Sequence, residues 1–322
     1  MSDTPLPDPA AQSHGSDMSI FGPRHLTRLM IAIMTVICCV IFTYGARWVH
    51  WPSEPGFHGS MAQAPMAIGG FLVALVLLIL CTILSTFVLR RRYFPAGLMV
   101  ATAGLTTWAV RGGTSTYVLF NADNSGAGPR VFLQLLGELI VLFAVIGGLW
   151  NVVWMSHATT RRASQPPDII GDEAAVRAAA ARAAKEESRS TGPALIVQAA
   201  VMTVVIWILV ATPQKKQVLV AVFIAGAVST ALAESVFADR SASRWYWIGP
   251  LASGAFGYIA SYFSPAGMEF GNLSGIFGAM AHVLPLDYAS VGCAGALLGY
   301  WWMMPEEDAG MDAKAEPGAE VT

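Results

Sequence analysis

Long apolar runs recur eight times along the chain, and polar or glycine-rich stretches separate them. A helix needs about 20 mostly apolar residues to cross a bilayer, because the hydrocarbon layer is about 30 Å thick and each residue adds about 1.5 Å. Lipid offers no partner for open backbone groups, so helices are the spanning form that such runs favour. We therefore predict an all-α, polytopic transmembrane helix bundle with about eight spans, at 27–46, 65–89, 94–111, 131–155, 193–212, 217–238, 245–263 and 285–303.

Polar residues dominate both ends of the chain. Residues 1–18 and the acidic stretch 305–322 have the composition of disordered tails. The transmembrane domain is thus predicted over 19–304, with a cytoplasmic Ala-rich linker helix within 156–192. Acids begin that linker helix and Lys185 lies near its end, an arrangement that suits the helix dipole.

The distribution of Lys and Arg orients the bundle. With a cytoplasmic N-terminus, 14 of the 19 Lys and Arg residues fall in cytoplasmic segments, and the Arg90–Arg92 cluster is the strongest single indication. Lys215 and Lys216, in a very short outer loop, are the main exceptions. This excess of inside positive charge predicts a multi-pass protein of the plasma (inner) membrane with both termini in the cytoplasm.

The linker divides the spans four and four, so both halves would share one orientation, as in a parallel 4+4 pseudo-repeat. Aromatic and proline residues open the third span at 93–95 and the seventh at 245–250. Interfacial aromatic belts explain much of this likeness without a duplication. The repeat and the belt therefore both stay open as explanations.

Small residues recur every four positions in the second half. They allow two helices to approach closely, which is the chief source of helix association in lipid. We expect a tight bundle held by these positions, namely Ala221, Ala225, Ser229 and Ala233 in the sixth span, Gly249, Ser253, Gly257 and Ser261 in the seventh, and Gly295 and Gly299 in the eighth.

Composition agrees with a membrane protein and limits its partners. Only 12% of residues are charged, against about 25% in soluble domains, and the mean hydropathy is +0.54. A net charge of −2 offers no basic surface for nucleic acid. The expected partners are therefore the lipid bilayer, with other membrane proteins or further copies of the chain.

Acidic residues within spans are the main candidates for chemistry, because a charge in a membrane is expensive. Glu138 lies about 12 Å below the outer end of its helix, where Arg111 of the preceding span could reach it. Glu138 is either a structural group, paired or protonated, or a carboxylate that couples protons or binds a ligand. Asp287 begins the last span, where it can cap the helix or join Glu138 in a paired site. Glu234 lies near the inner headgroups, where solvation accounts for it.

No catalytic or cofactor motif emerges. The chain has no P-loop, dinucleotide fingerprint, H-E-x-x-H motif or nucleophile elbow, so we expect no cofactor and disfavour an enzyme. The loop histidines have no standard metal-ligand spacing, and we predict no metal site. Two functions remain: a small-solute or ion transporter-like bundle with a carboxylate site near its outer side, and a non-catalytic membrane scaffold or subunit of a membrane complex.

Overall fold

A computed structural model describes residues 23–46, 67–89, 94–163, 192–210, 212–237, 245–263 and 278–303. These residues are almost entirely helical, and no strand occurs among them. The helices are α1 (Pro23–Gly45), α2 (Ala67–Val88), α3 (Phe94–Arg111), α4 (Ser115–Asn124), α5 (Arg130–Ala163), α6 (Gly192–Leu209), α7 (Lys215–Phe237), α8 (Ile248–Phe263), α9 (Gly278–Ala281), α10 (Pro285–Asp287) and α11 (Cys293–Met303). A π-helical turn, Tyr288–Gly292, joins α10 and α11 into one continuous helix, here called the last helix.

All eight apolar runs are helices, so the all-α prediction is confirmed for the described residues. Five of these helices, α1, α2, α5, α6 and α7, are long and apolar enough to cross a membrane. The predicted tails 1–18 and 305–322 lie outside the described residues, as does 164–191, most of the predicted linker. The chain thus has the helices of a membrane protein by length and composition.

The interior of the bundle consists of α3 and the last helix. Residues 96–102 of α3 are all buried, as are residues 283–297 at the start of the last helix. The two helices pack against each other, and α1 and α2 cover α3 while α7 covers the last helix. An interior helix meets other helices rather than lipid, so it can carry the Gly, Ala, Ser and Thr that lower its hydropathy.

The contact between α7 and the last helix brings backbone against backbone. A Cβ atom added at Gly226 would lie 2.6 Å from the Gly292 carbonyl oxygen, and Gly299 abuts the carbonyl of Ala227. Gly295 similarly abuts the backbone of Phe223. The predicted close packing is therefore confirmed at Gly295 and Gly299, since only residues without a large side chain allow this approach, and Gly226 adds a position that the four-residue spacing did not mark.

Replacing Gly226 with Ala should destabilise the protein, because the new methyl group overlaps a backbone carbonyl that has no room to move. We expect a loss of about 1–3 kcal/mol, seen as a lower Tm of the purified protein in detergent. Gly148→Ala in α5 is the matched control, since no atom lies within 4 Å of its added Cβ. Equal Tm shifts for the two variants would contradict the role of backbone contact here.

Candidate functional site

Asp287 is held in place by the local geometry at the start of the last helix. Leu284 is extended, with φ −84° and ψ 158°, and Pro285 occupies the first helical position, for which its ring is pre-organised. Asp287 Oδ2 accepts a hydrogen bond from the Leu284 N–H at 3.0 Å. The side chain thus satisfies a backbone donor at the helix start, as capping predicts.

The other carboxylate oxygen of Asp287 receives Lys215. Lys215 Nζ lies 2.6 Å from Asp287 Oδ1, with relative side-chain exposures of 13% for the lysine and 0% for the aspartate. Lys215 is the first residue of α7, where the positive helix end disfavours a cation. The negative charge of Asp287 therefore offsets both the positive charge of Lys215 and the positive end of the α7 dipole.

The π turn determines which way Asp287 faces. The Cys293 N–H donates to the Tyr288 carbonyl, the i→i−5 bond of a π-helix. In a regular α-helix, Asp287 and Gly295 would point about 80° apart, because eight residues make about 2.2 turns. The extra residue of the π turn removes about 100° of rotation and leaves them about 20° apart. Asp287 consequently faces α7, the helix that Gly295 contacts and that Lys215 begins.

Aromatic and acidic side chains surround this pair. The Tyr258 hydroxyl donates to the Val283 carbonyl at 2.7 Å, and its ring meets Tyr288 edge to face with centroids 6.3 Å apart. Tyr258 lies within electrostatic range of both Asp287 and Glu138. Glu138 on α5 is 4% exposed, and Leu139 beside it and Tyr288 both border Gly254 of α8. Glu138 and Asp287, predicted in separate halves of the chain, thus both lie near Tyr258, while no direct contact between the two carboxylates is seen among the described residues.

Arg111 and Glu234 lie elsewhere. The Arg111 guanidinium donates to the Thr43 carbonyl of α1 at 3.5 Å, so its described contact is directed toward α1. Glu234 accepts a hydrogen bond from the Tyr246 hydroxyl at the opposite end of α7 from Lys215. We call these two ends of the bundle the Lys215 end and the Tyr246 end.

Two short helices, α4 and α9, lie at the Lys215 end of the bundle. Ser115, the first residue of α4, hydrogen-bonds His282 Nδ1 at 2.9 Å just after α9. Burial lowers the pKa of the His282 imidazole, so the ring is neutral at pH 7 and needs no counter-charge. This contact links the segment after α3 to the segment that leads into Asp287.

Polar groups without partners occur among the buried residues of the second half. Gln198 is fully buried; its Nε2 donates to Thr230 Oγ1 at 2.8 Å and to the Tyr246 carbonyl at 2.7 Å, while its Oε1 has no partner. The Tyr288 hydroxyl and Trp247 Nε1 also lack hydrogen bonds. Each such group costs about 1–3 kcal/mol, and the same holds for the hydroxyls of Thr82 and Thr86 on α2 in the first half.

The sequence contained signals for some of these residues. Gln198 is an amide in an otherwise apolar run, and Lys215 is a cation at a helix start; either feature marks a group that needs a partner. Tyr258 and Tyr288 gave no signal, because aromatic residues are common in spans and at their ends.

Comparison of the chain with protein-family models, with curated proteins and with solved structures finds no match. The function is therefore inferred from the geometry alone. The negative charge of a buried carboxylate can be balanced either by a neighbouring lysine or by a bound proton, and this is the chemistry that the arrangement offers.

Asp287 and Lys215 should show strong coupling in a double-mutant cycle. Asp287→Leu or Lys215→Met alone leaves one buried charge unpaired, for an expected loss of about 3–5 kcal/mol. The double variant should recover most of it, because an apolar pair needs no counter-charge. The measurement is Tm in detergent for all four proteins. Additive losses in the double variant would show that the two residues do not stabilise each other.

Proposed function

We propose that the protein is a proton-coupled transporter of a small solute or ion, with its carboxylate site at the Lys215 end. The observation that carries the proposal is the fully buried Asp287, bonded to Lys215 and near Tyr258, which is also near Glu138. A buried ion pair adds little stability over an apolar pair of the same size. Ionisable groups inside membrane bundles mark ion and proton pathways, so a functional reason for this pair is the better account.

Protonation would change the charge balance of this site. A proton taken up by Asp287 removes the negative charge that holds the Lys215 ammonium, and the lysine can then turn to another anion. Glu138 supplies a second carboxylate in the same neighbourhood. The site could thus bind a proton together with an anionic solute without any change in its total charge.

Proton movement across a membrane tests this function directly. The full chain is reconstituted in vesicles that contain a pH-sensitive dye, and a potassium gradient with valinomycin makes the lumen negative. We expect luminal acidification faster than in empty vesicles, either unaided or on external addition of a monocarboxylate or a neutral amino acid. Asp287→Asn combined with Lys215→Gln should abolish it, since the neutral pair keeps polar side chains but carries no charge.

Asp123→Asn, an exposed acid at the end of α4, is the matched control and should behave as wild type. Acidification no faster than in empty vesicles under all these conditions would contradict the transporter. A non-catalytic scaffold is the second candidate, favoured by the rigid backbone contact between α7 and the last helix. The scaffold predicts no proton movement in any of these vesicles.

We further propose that all eight long helical segments span the plasma (inner) membrane, with both termini in the cytoplasm. Directions of the described helices support this: Lys215 and Asp287 pair at the starts of α7 and the last helix, and Trp108 near the end of α3 bonds Phe42 near the end of α1. The interior position of α3 and the last helix accounts for their lower hydropathy. The 4+4 repeat stays a prediction, and the packing lends it no support, because the interior helices are third in one half and fourth in the other.

Impermeant thiol labelling tests the orientation. In a background where the four native cysteines are replaced, Gln214→Cys, between α6 and α7, should react from outside intact cells. Ser241→Cys, between α7 and α8 in the sequence, should react only after the membrane is opened. The reverse pattern would place the N-terminus outside and overturn the proposed orientation.

A further inference from the structure

Polar side chains follow one another through the second half of the bundle, from the Lys215 end to the Tyr246 end. They lie on α6, α7, α8 and the last helix, and on the residues just before α8. We call this set the polar track; its members are Asp287, Tyr288, Ser253, Thr203, Gln198, Thr230, Tyr246 and Glu234.

The part of the polar track nearest the Lys215 end begins at the ion pair between Lys215 and Asp287. Tyr288 follows Asp287 directly, and its fully buried hydroxyl is near Ser253 without forming a hydrogen bond of normal length. The Ser253 hydroxyl lies 3.1 Å from that of Thr203, which joins α8 to α6. These hydroxyls both donate and accept, so each can receive one proton while it releases another.

The part of the polar track nearest the Tyr246 end finishes at a second carboxylate, that of Glu234. Gln198 Nε2 bonds Thr230 Oγ1 and the Tyr246 carbonyl, and the Tyr246 hydroxyl bonds Glu234. Glu234 is half-buried near the end of α7, at the Tyr246 end of the bundle. Both ends of the track therefore carry an acid that can hold a proton.

The two parts are separated on α6 by the distance from Thr203 to Gln198. Five residues of helix make this about 7.5 Å along the axis and about 140° around it, so the two side chains leave different faces of α6 and a proton path needs several waters to join them. Gln198 Oε1 and the Tyr288 hydroxyl, the two track atoms without partners, are the kind of group that holds such a water. The track thus explains two of the unpartnered groups in this part of the core.

Other buried hydroxyls are used differently. Thr102, Ser229, Ser261 and Ser290 each donate to a carbonyl three or four residues earlier in their own helix. Each of these hydroxyls forms its hydrogen bond within its own helix and therefore does not link two helices. The cross-helix bonds of the track differ from these local bonds, although the buried hydroxyls of Ser85 and Ser115 also bond other segments, at Cys38 and His282.

We propose that the polar track is a water-assisted proton path from Asp287 to Glu234, an inference that rests on the proposed proton coupling. A proton from the Lys215 end neutralises Asp287, which bonds Lys215 and lies near Tyr258 and Tyr288. It passes by hydroxyl exchange through Tyr288, Ser253 and Thr203, and then by a chain of waters past Gln198 to the Tyr246 hydroxyl, since Gln198 itself bonds the Tyr246 carbonyl. Glu234 accepts it and releases it to water at the Tyr246 end. Gln198 is a positioning residue, because its amide holds Thr230 and Tyr246 but gains no net proton.

Removal of a single hydroxyl from the track tests the path in the same dye-loaded vesicles. Thr203→Val and Ser253→Ala should each slow luminal acidification about tenfold. Thr203→Ser keeps the hydroxyl and should retain the wild-type rate. Thr102→Val and Ser229→Ala are the matched controls, since they remove buried hydroxyls that bond only their own helix, and they should also retain it.

The outcomes separate the path from the function. If wild type acidifies the lumen and the neutral Asp287–Lys215 variant does not, but Thr203→Val and Ser253→Ala match their controls, the path is wrong and the transporter stands. If wild type itself moves no protons, the proposed function fails first. A Thr203→Ser variant as slow as Thr203→Val would show that side-chain shape, not the hydroxyl, controls the rate, and would also overturn the path.

Discussion

The ion pair between Lys215 and Asp287 is the interaction on which the organisation of the second half depends. In a low-dielectric core, neither charge is tolerated alone, so the starts of α7 and the last helix must meet. That meeting aligns the two helices at one end, and the glycines at 226, 295 and 299 hold them backbone to backbone beyond it. The electrostatic and steric constraints therefore act along one helix pair and reinforce each other.

The π turn connects these two constraints. Without its extra residue, the last helix could direct either Asp287 or Gly295 at α7, but not both, because 3.6 residues per turn would separate their directions by about 80°. π turns are infrequent and occur mainly at functional sites. Its position directly after Asp287 agrees with a role for that carboxylate beyond capping.

The division of the bundle into interior and covering helices also has a plain physical origin. Helices that face lipid need apolar side chains over much of their surface, whereas helices enclosed by protein need small ones. Accordingly α2, with exposed Ile68, Leu72 and Val76, is strongly apolar, while α3 contains glycine, threonine and buried Trp108. The same distinction leaves room for polar side chains on interior surfaces, where other helices rather than lipid supply their partners.

By itself, the sequence determined where the helices lie, which of their positions are small, and that Glu138 and Asp287 are unusual. These properties follow from local composition and from the 3.6-residue period, which need no knowledge of neighbours. Lys215 as the partner of Asp287, the link from Gln198 to Thr230, and the bond from Tyr246 to Glu234 were decided only by the tertiary structure. Each depends on which helices pack together and on the π turn that rotates one of them. A single-residue change of register would separate every one of these pairs, and periodicity along the chain does not encode that register.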